Sequence, residues 1–149
     1  MPAQLLSSTP EKVVLQLELP LLGSMLKQEE QIQEVLNEAG MLFTGESLQR
    51  FDTDGSPLIT GQIKWTSKGQ EPKHYQTPYG EVKVARHVYQ TAKEGATCCP
   101  LDRDARIVAS STPCFAKQVA NKYAQIGAPQ VVSDLSENHG RKVTHAFVQ

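Results

Sequence analysis

Residues Gly140 to His145, "GRKVTH", combine the side chains in this chain best suited to meeting a polyanion. Arg141 and Lys142 put two cations in a turn opened by glycine, where contacts to phosphate position a protein on a duplex without specifying its sequence. Thr144 suits the cap of a following helix. With His145 it would put backbone N–H groups at that helix's start, a second place that favours phosphate. Lys117 and Lys122, on a preceding helical stretch, are weaker phosphate candidates. The competing reading of all these cations is ordinary solvated surface charge.

Other chemistry has less to work with. Cys98 and Cys99 are adjacent and do not form the C-x-x-C of a zinc ribbon. Cys114 and the four histidines, His74, His87, His139 and His145, have no ligand spacing, so no metal site is expected. Cys114 falls one residue into a helix, but no partner for it is visible and a small buried hydrophobe is the simpler role. Asp102 and Asp104 flank Arg103 and read as a surface salt-bridging loop. Asp52 and Asp54 belong to a turn. No nucleophile elbow or phosphate-cradling loop occurs, so no catalytic residues and no cofactor are assigned to this chain.

The elements that must carry these residues follow from pattern. In 149 residues, 39% hydrophobic and 21% charged, there is room for one domain or two small ones. No apolar run is long enough to span a membrane, and no secretory signal is evident. Three cysteines without a disulfide framework suit a reducing compartment, so a cytoplasmic location is expected. The net charge of -1 conceals an asymmetry. Residues Met1 to Pro57 hold 3 basic and 9 acidic side chains, and Leu58 to Gln149 hold 12 and 7. A polyanion would therefore meet the second part.

Residues 1–20 show little pattern. "MLKQEEQIQEVLNEAGMLF", Met25 to Phe43, has helical spacing, with Glu29, Glu30, Glu34 and Glu38 making an acidic face. Gly40 and Gly45 weaken its far end. "DTDGSPL" is a turn. Leu58 to Leu101 reads as a small antiparallel meander, interrupted at "SKGQEPKH". In its second part Val82, Val84 and Val88 share one face. Ala92 to Ala96 forms a turn, and a short strand at "TCCPL" ends at Pro100. Thr112 and Pro113 then open a helix whose apolar face is Phe115, Val119, Ala120, Tyr123 and Ile126, closed by Gly127. Pro129 opens a second helix, with Val131, Val132 and Leu135 inward, ended by Gly140. "HAFVQ" starts a third, with Val143, Ala146 and Phe147 facing back. The expected fold is α+β: an N-terminal segment with an acidic helix (1–57), a small antiparallel sheet (58–109) and a helix-turn-helix-like segment incomplete at its C-terminus (110–149).

Within this frame "YGEVKVARHVYQ", "CPLDRDARI" and "STPCFAKQVANKYAQIGAPQVVSDLSENHGRKV" carry a resemblance. The chain resembles the N-terminal part of bacterial insertion-sequence transposases of the Kra group, a DDE-type family, most strongly from Thr77 to Val143. The resemblance implies recognition of element ends in double-stranded DNA and assembly of the transposition complex, with self or a full-length transposase as partner. It also implies that catalysis belongs to an RNase H-like domain that follows, where three acidic residues hold divalent metal ions. Some relatives carry a C-x-x-C pair where this chain has "GATCCPLD". A third helix of about five residues is short for a groove-reading element. The chain therefore reads as a truncated transposase or a fragment of a longer one. The alternative is a non-catalytic structural or interaction protein that works through the acidic helix, for which such a fragment could have been recruited.

Overall fold

The computed structural model describes residues 2–91 and 95–148. Two strands open the chain, β1 (Ala3–Ser8) and β2 (Val13–Leu17), paired antiparallel with Ala3 opposite Leu17. Thr9 closes their turn. Its N–H donates to the Lys12 carbonyl at 2.9 Å, and its hydroxyl accepts from the Lys12 N–H at 3.1 Å. No hairpin was expected here. Of β1 only Ala3 is buried, so no apolar alternation marks the strand.

The acidic helix α1 runs Met25–Gln49, six residues past its expected end at Phe43. Ser24 caps it by accepting from the Lys27 N–H at 3.2 Å. Gly40 costs this helix some propensity but admits a neighbour. A Cβ there would lie 2.2 Å from Cγ of the Tyr79 ring. In return Met41 packs over Gly80, so helix and turn interlock. The β1–β2 hairpin leans on the far end of α1, where the Ser8 hydroxyl donates to Glu46 at 2.7 Å.

The sheet has four antiparallel strands in sequence order: β3 (Leu58–Thr60), β4 (Ile63–Gln76), β5 (Glu81–Gln90) and β6 (Thr97–Cys98). The expected break at "SKGQEPKH" is instead the middle of β4. Its register against β5 shifts between Ser67 and Gln70, where Gly69 takes φ +101°. Pro72 is tolerated because β3 pairs no further along β4 than Trp65, which leaves that side of β4 an edge. Beyond the bulge the inward side of β5 changes: Val82 and Val84 are buried, but then Tyr89 rather than Val88. The expected turn at Ala92–Ala96 lies largely outside the described residues.

After β6 come α2 (Pro100–Asp104), α3 (Pro113–Ile126), α4 (Ala128–His139) and α5 (His145–Val148). The short helix α2 occupies a stretch expected to be loop, and its Leu101 is fully buried. One core joins Leu48, Tyr75, Val82, Val84, Leu101 and Ala105. A second joins Phe115, Val119, Ala128, Val131, Leu135 and Val148. Tyr123 and Ile126, expected to face inward, are 45% and 43% exposed, because the second core covers α3 only along its first turns. The α+β class is thus present, and no helix among the described residues is long and apolar enough to cross a membrane.

The two glycines of α1 should respond oppositely to alanine. Nothing lies within 4 Å of a Cβ at Gly45, so Gly45→Ala should stabilise the fold by roughly 0.5–1 kcal/mol through helix propensity. Gly40→Ala must displace the Tyr79 ring and should destabilise by about 1–3 kcal/mol despite the same propensity gain. Paired chemical denaturation curves test both signs.

Candidate nucleic-acid interface

The three C-terminal helices are set by local sequence. Pro113 begins α3, with Thr112 in an extended conformation before it. Thr112 does not cap through its side chain, as the sequence suggested. Its hydroxyl is buried without a hydrogen-bond partner among the described residues, and its N–H donates to the Gln76 carbonyl at 2.9 Å. Gly140 ends α4 in the left-handed conformation, φ +63°, where the Gly140 and Arg141 N–H groups converge on the Leu135 carbonyl. Thr144 caps α5, accepting from the Phe147 N–H at 3.2 Å. Phe147 stacks on Phe115 with ring centroids 5.9 Å apart, and Val143 packs nearby. Ala146 is exposed, and Val148 takes the inward place expected of it.

The six cations and polar groups expected to meet DNA do not share one environment. Arg141 is 5% exposed and turns inward. Its Nε donates to the Thr77 carbonyl at 2.9 Å, a second guanidinium nitrogen donates to the Gln76 side chain, and the guanidinium lies 5.1 Å over the Phe115 ring. Burial pushes its pKa down from the ordinary arginine value, with Glu81 opposing the shift. Two of the Arg141 nitrogens are thus committed to Gln76 and Thr77 and turned inward, away from the place of a phosphate on the surface. Lys122 is half-buried and paired with Asp134, which also accepts from the Asn138 amide at 2.6 Å. These bonds, that from Lys122 first, hold the Asp134 carboxyl below its ordinary range. Lys142 is exposed but lines a groove with Glu29, Glu30, Glu34 and Glu137, a poor setting for phosphate. Lys117, Thr144 and His145 are exposed.

Two polar clusters lay outside the sequence reading. Asp102 does not pair with Arg103, which binds Asp104 at 3.0 Å on the surface. It faces the sheet instead, where it accepts from the Tyr75 hydroxyl and from Lys73 Nζ at 3.3 Å, with Arg86 Nε at 3.7 Å. Burial and then the bond to Asp102 raise the Tyr75 pKa. This cluster pins α2 to β4 and β5. Asp52 reaches His87 on β5. It accepts from the His87 N–H at 3.0 Å and contacts its Nδ1 at 2.9 Å. Burial pushes the Asp52 carboxyl up, but bonds from the His87 and Thr53 backbone and the His87 ring outweigh it, so its pKa lies below the ordinary value. No three His, Cys, Asp or Glu side chains among the described residues converge to hold a metal ion.

Arg141→Ala should lower stability by about 3 kcal/mol, because it removes a buried fork of charge-assisted bonds and strands their acceptors. Arg141→Lys should recover little of this, since an ammonium cannot reproduce the fork. Thermal melts of both variants check the assignment. For Asp52, a depressed folded pKa means stability that is present above the unfolded value of about 3.9 and is lost as pH falls through the folded value. Asp52→Ala should therefore weaken the fold by about 1.5–3 kcal/mol near neutral pH, with the difference from wild type shrinking below about pH 4. Urea titrations across pH measure this.

No protein-family model matches the chain, and no curated protein matches it.

Proposed function

We propose that this chain is the DNA-binding and assembly portion of a bacterial transposase, acting in DNA transposition through double-stranded element ends. The observation that carries the reading is the α3–α4–α5 unit. It has its own apolar core, and its last helix leaves Thr144 and His145 exposed while Phe147 and Val148 hold it from behind. That arrangement is what a helix-turn-helix reader requires, with a packed back and a polar front. Of the residues that build it, Pro113 to Val143 fall within the stretch that resembles the Kra-group transposases, and α5 follows that stretch. In this reading Lys117, Thr144 and His145 contact the duplex, and Arg141 acts by fixing the turn that presents them. Strand-transfer chemistry, with its divalent metal ions, is assigned to a separate RNase H-like domain and not to residues of this chain.

A second reading, an interaction protein working through α1, is favoured by one feature. Met25, Leu36 and Phe43 are 61%, 53% and 45% exposed and fall on one stripe of the helix. Sedimentation separates the two: an oligomer indifferent to DNA at low salt would favour the second.

Fluorescence anisotropy with a labelled duplex tests the first reading. Lys117→Ala should weaken binding similarly for all duplex sequences and reduce the salt slope by about 0.9. Thr144→Ala with His145→Ala should reduce discrimination between element-end and unrelated duplexes. Binding, salt slope and discrimination unchanged in both variants would refute the assignment.

A further inference from the structure

A cleft of about 950 Å³ opens between the end of β2 and α1, on the side of the helix away from the Met25–Leu36–Phe43 stripe. Leu19, Pro20 and Val35 give it an apolar lining, and Glu18, Glu34 and Glu38 surround that lining with carboxylates. Glu34 and Glu38 stand one turn apart on the same face, an arrangement of like charges that costs a helix a few tenths of a kcal/mol. None of the three has an ion-pair partner among the described residues. Glu18 accepts a neutral hydrogen bond from the Gln16 amide at 3.2 Å. Gln31 lines the same cleft, and its buried Oε1 has no hydrogen-bond partner among the described residues.

We propose that this cleft is a docking site for a segment of another protein that carries arginine or lysine beside apolar residues. The carboxylates are too dispersed to converge on one metal ion, so they act as separate anchors. Separate anchors suit several cationic side chains along a peptide. An arginine or lysine stem covers apolar surface while its charged head reaches outward, which matches apolar lining next to carboxylate. A guanidinium can also donate two parallel bonds to one carboxylate and a further bond to an amide oxygen such as that of Gln31. Nucleic acid is excluded as occupant by the carboxylates. The inference does not depend on DNA binding by α3–α5, which uses other residues and another assay.

The test uses the full chain and a short labelled peptide of alternating leucine and arginine, with a twin in which every arginine is citrulline. The arginine peptide should bind saturably, and the citrulline twin about tenfold more weakly, since it keeps shape and loses charge. Glu18→Gln with Glu38→Gln should cost about tenfold in affinity for the arginine peptide. Glu29→Gln with Glu30→Gln makes the same change in net charge outside the cleft and should leave affinity nearly unchanged. Equal losses in the two double variants would mean diffuse attraction to an acidic helix and would overturn the proposal. So would an absence of saturable binding, or equal binding of the citrulline twin. Self-association of the chain that Glu18→Gln with Glu38→Gln abolishes would assign the cleft to a second copy and overturn it as well.

Discussion

The buried guanidinium of Arg141 sets the terms for the rest of the molecule. Taking such a cation out of water costs several kcal/mol unless its donors find well-placed acceptors. The acceptors come from the β4–β5 turn, and the turn is built to leave them free. The Thr77 hydroxyl donates to the Gly80 carbonyl and accepts from the Tyr79 and Gly80 N–H groups. The Thr77 carbonyl therefore remains for Arg141. The same turn seats Tyr79 against Gly40 of α1, and Gln76 bonds to Ser110 and Thr112 ahead of α3. Helix α1, the sheet and the C-terminal helices thus meet at five consecutive residues, 76–80, and Arg141 closes the junction.

This constraint accounts for a helix that has little reason to exist alone. A four-residue helix is far below the length at which isolated helices persist. Its order comes from three tertiary supports: the Arg141 lock before it, the Phe115–Phe147 stack behind it and the burial of Val148. Residues 142–145 are consequently held in a fixed relation to the sheet. For a surface that must meet a partner in one register, such preorganisation reduces the ordering cost of binding.

What the sequence made legible was local. Helices α3 and α4 could be bounded because Pro113, Gly127 and Gly140 act on their own neighbours, and the antiparallel meander followed from alternation near Val82 and Val84. Interactions that join distant residues were not legible. The fate of Arg141 depends on a carbonyl 64 positions away, and a basic residue in a turn looks the same whether it meets phosphate or a buried carbonyl. Asp102 and Asp52 likewise looked like surface and turn residues because Tyr75 and His87 lie far off in the chain. The β1–β2 hairpin escaped for the opposite reason. Its strands bury almost nothing, so burial left no periodic trace. Gly40 misled because its propensity cost is local while its purpose, room for a tyrosine ring, is tertiary.

The acidic half of the chain bears on how the other half can meet a polyanion. Glu29, Glu30 and Glu34 project from α1 into the groove it forms with α4, and Glu137 joins them from the α4 side. Within a screening length of about 10 Å these carboxylates outweigh the single charge of Lys142 beside them. A duplex is therefore repelled from the α1 flank of the C-terminal helices. Around the α3–α4–α5 unit, Lys117, Thr144 and His145 are exposed and lie outside that groove. An approach that uses those residues keeps the phosphates away from the acidic groove, whereas one centred on Lys142 brings them onto it. The carboxylates of α1 thus face two ways: toward α4 they disfavour a polyanion, and toward β2 they add negative charge to a partly apolar cleft.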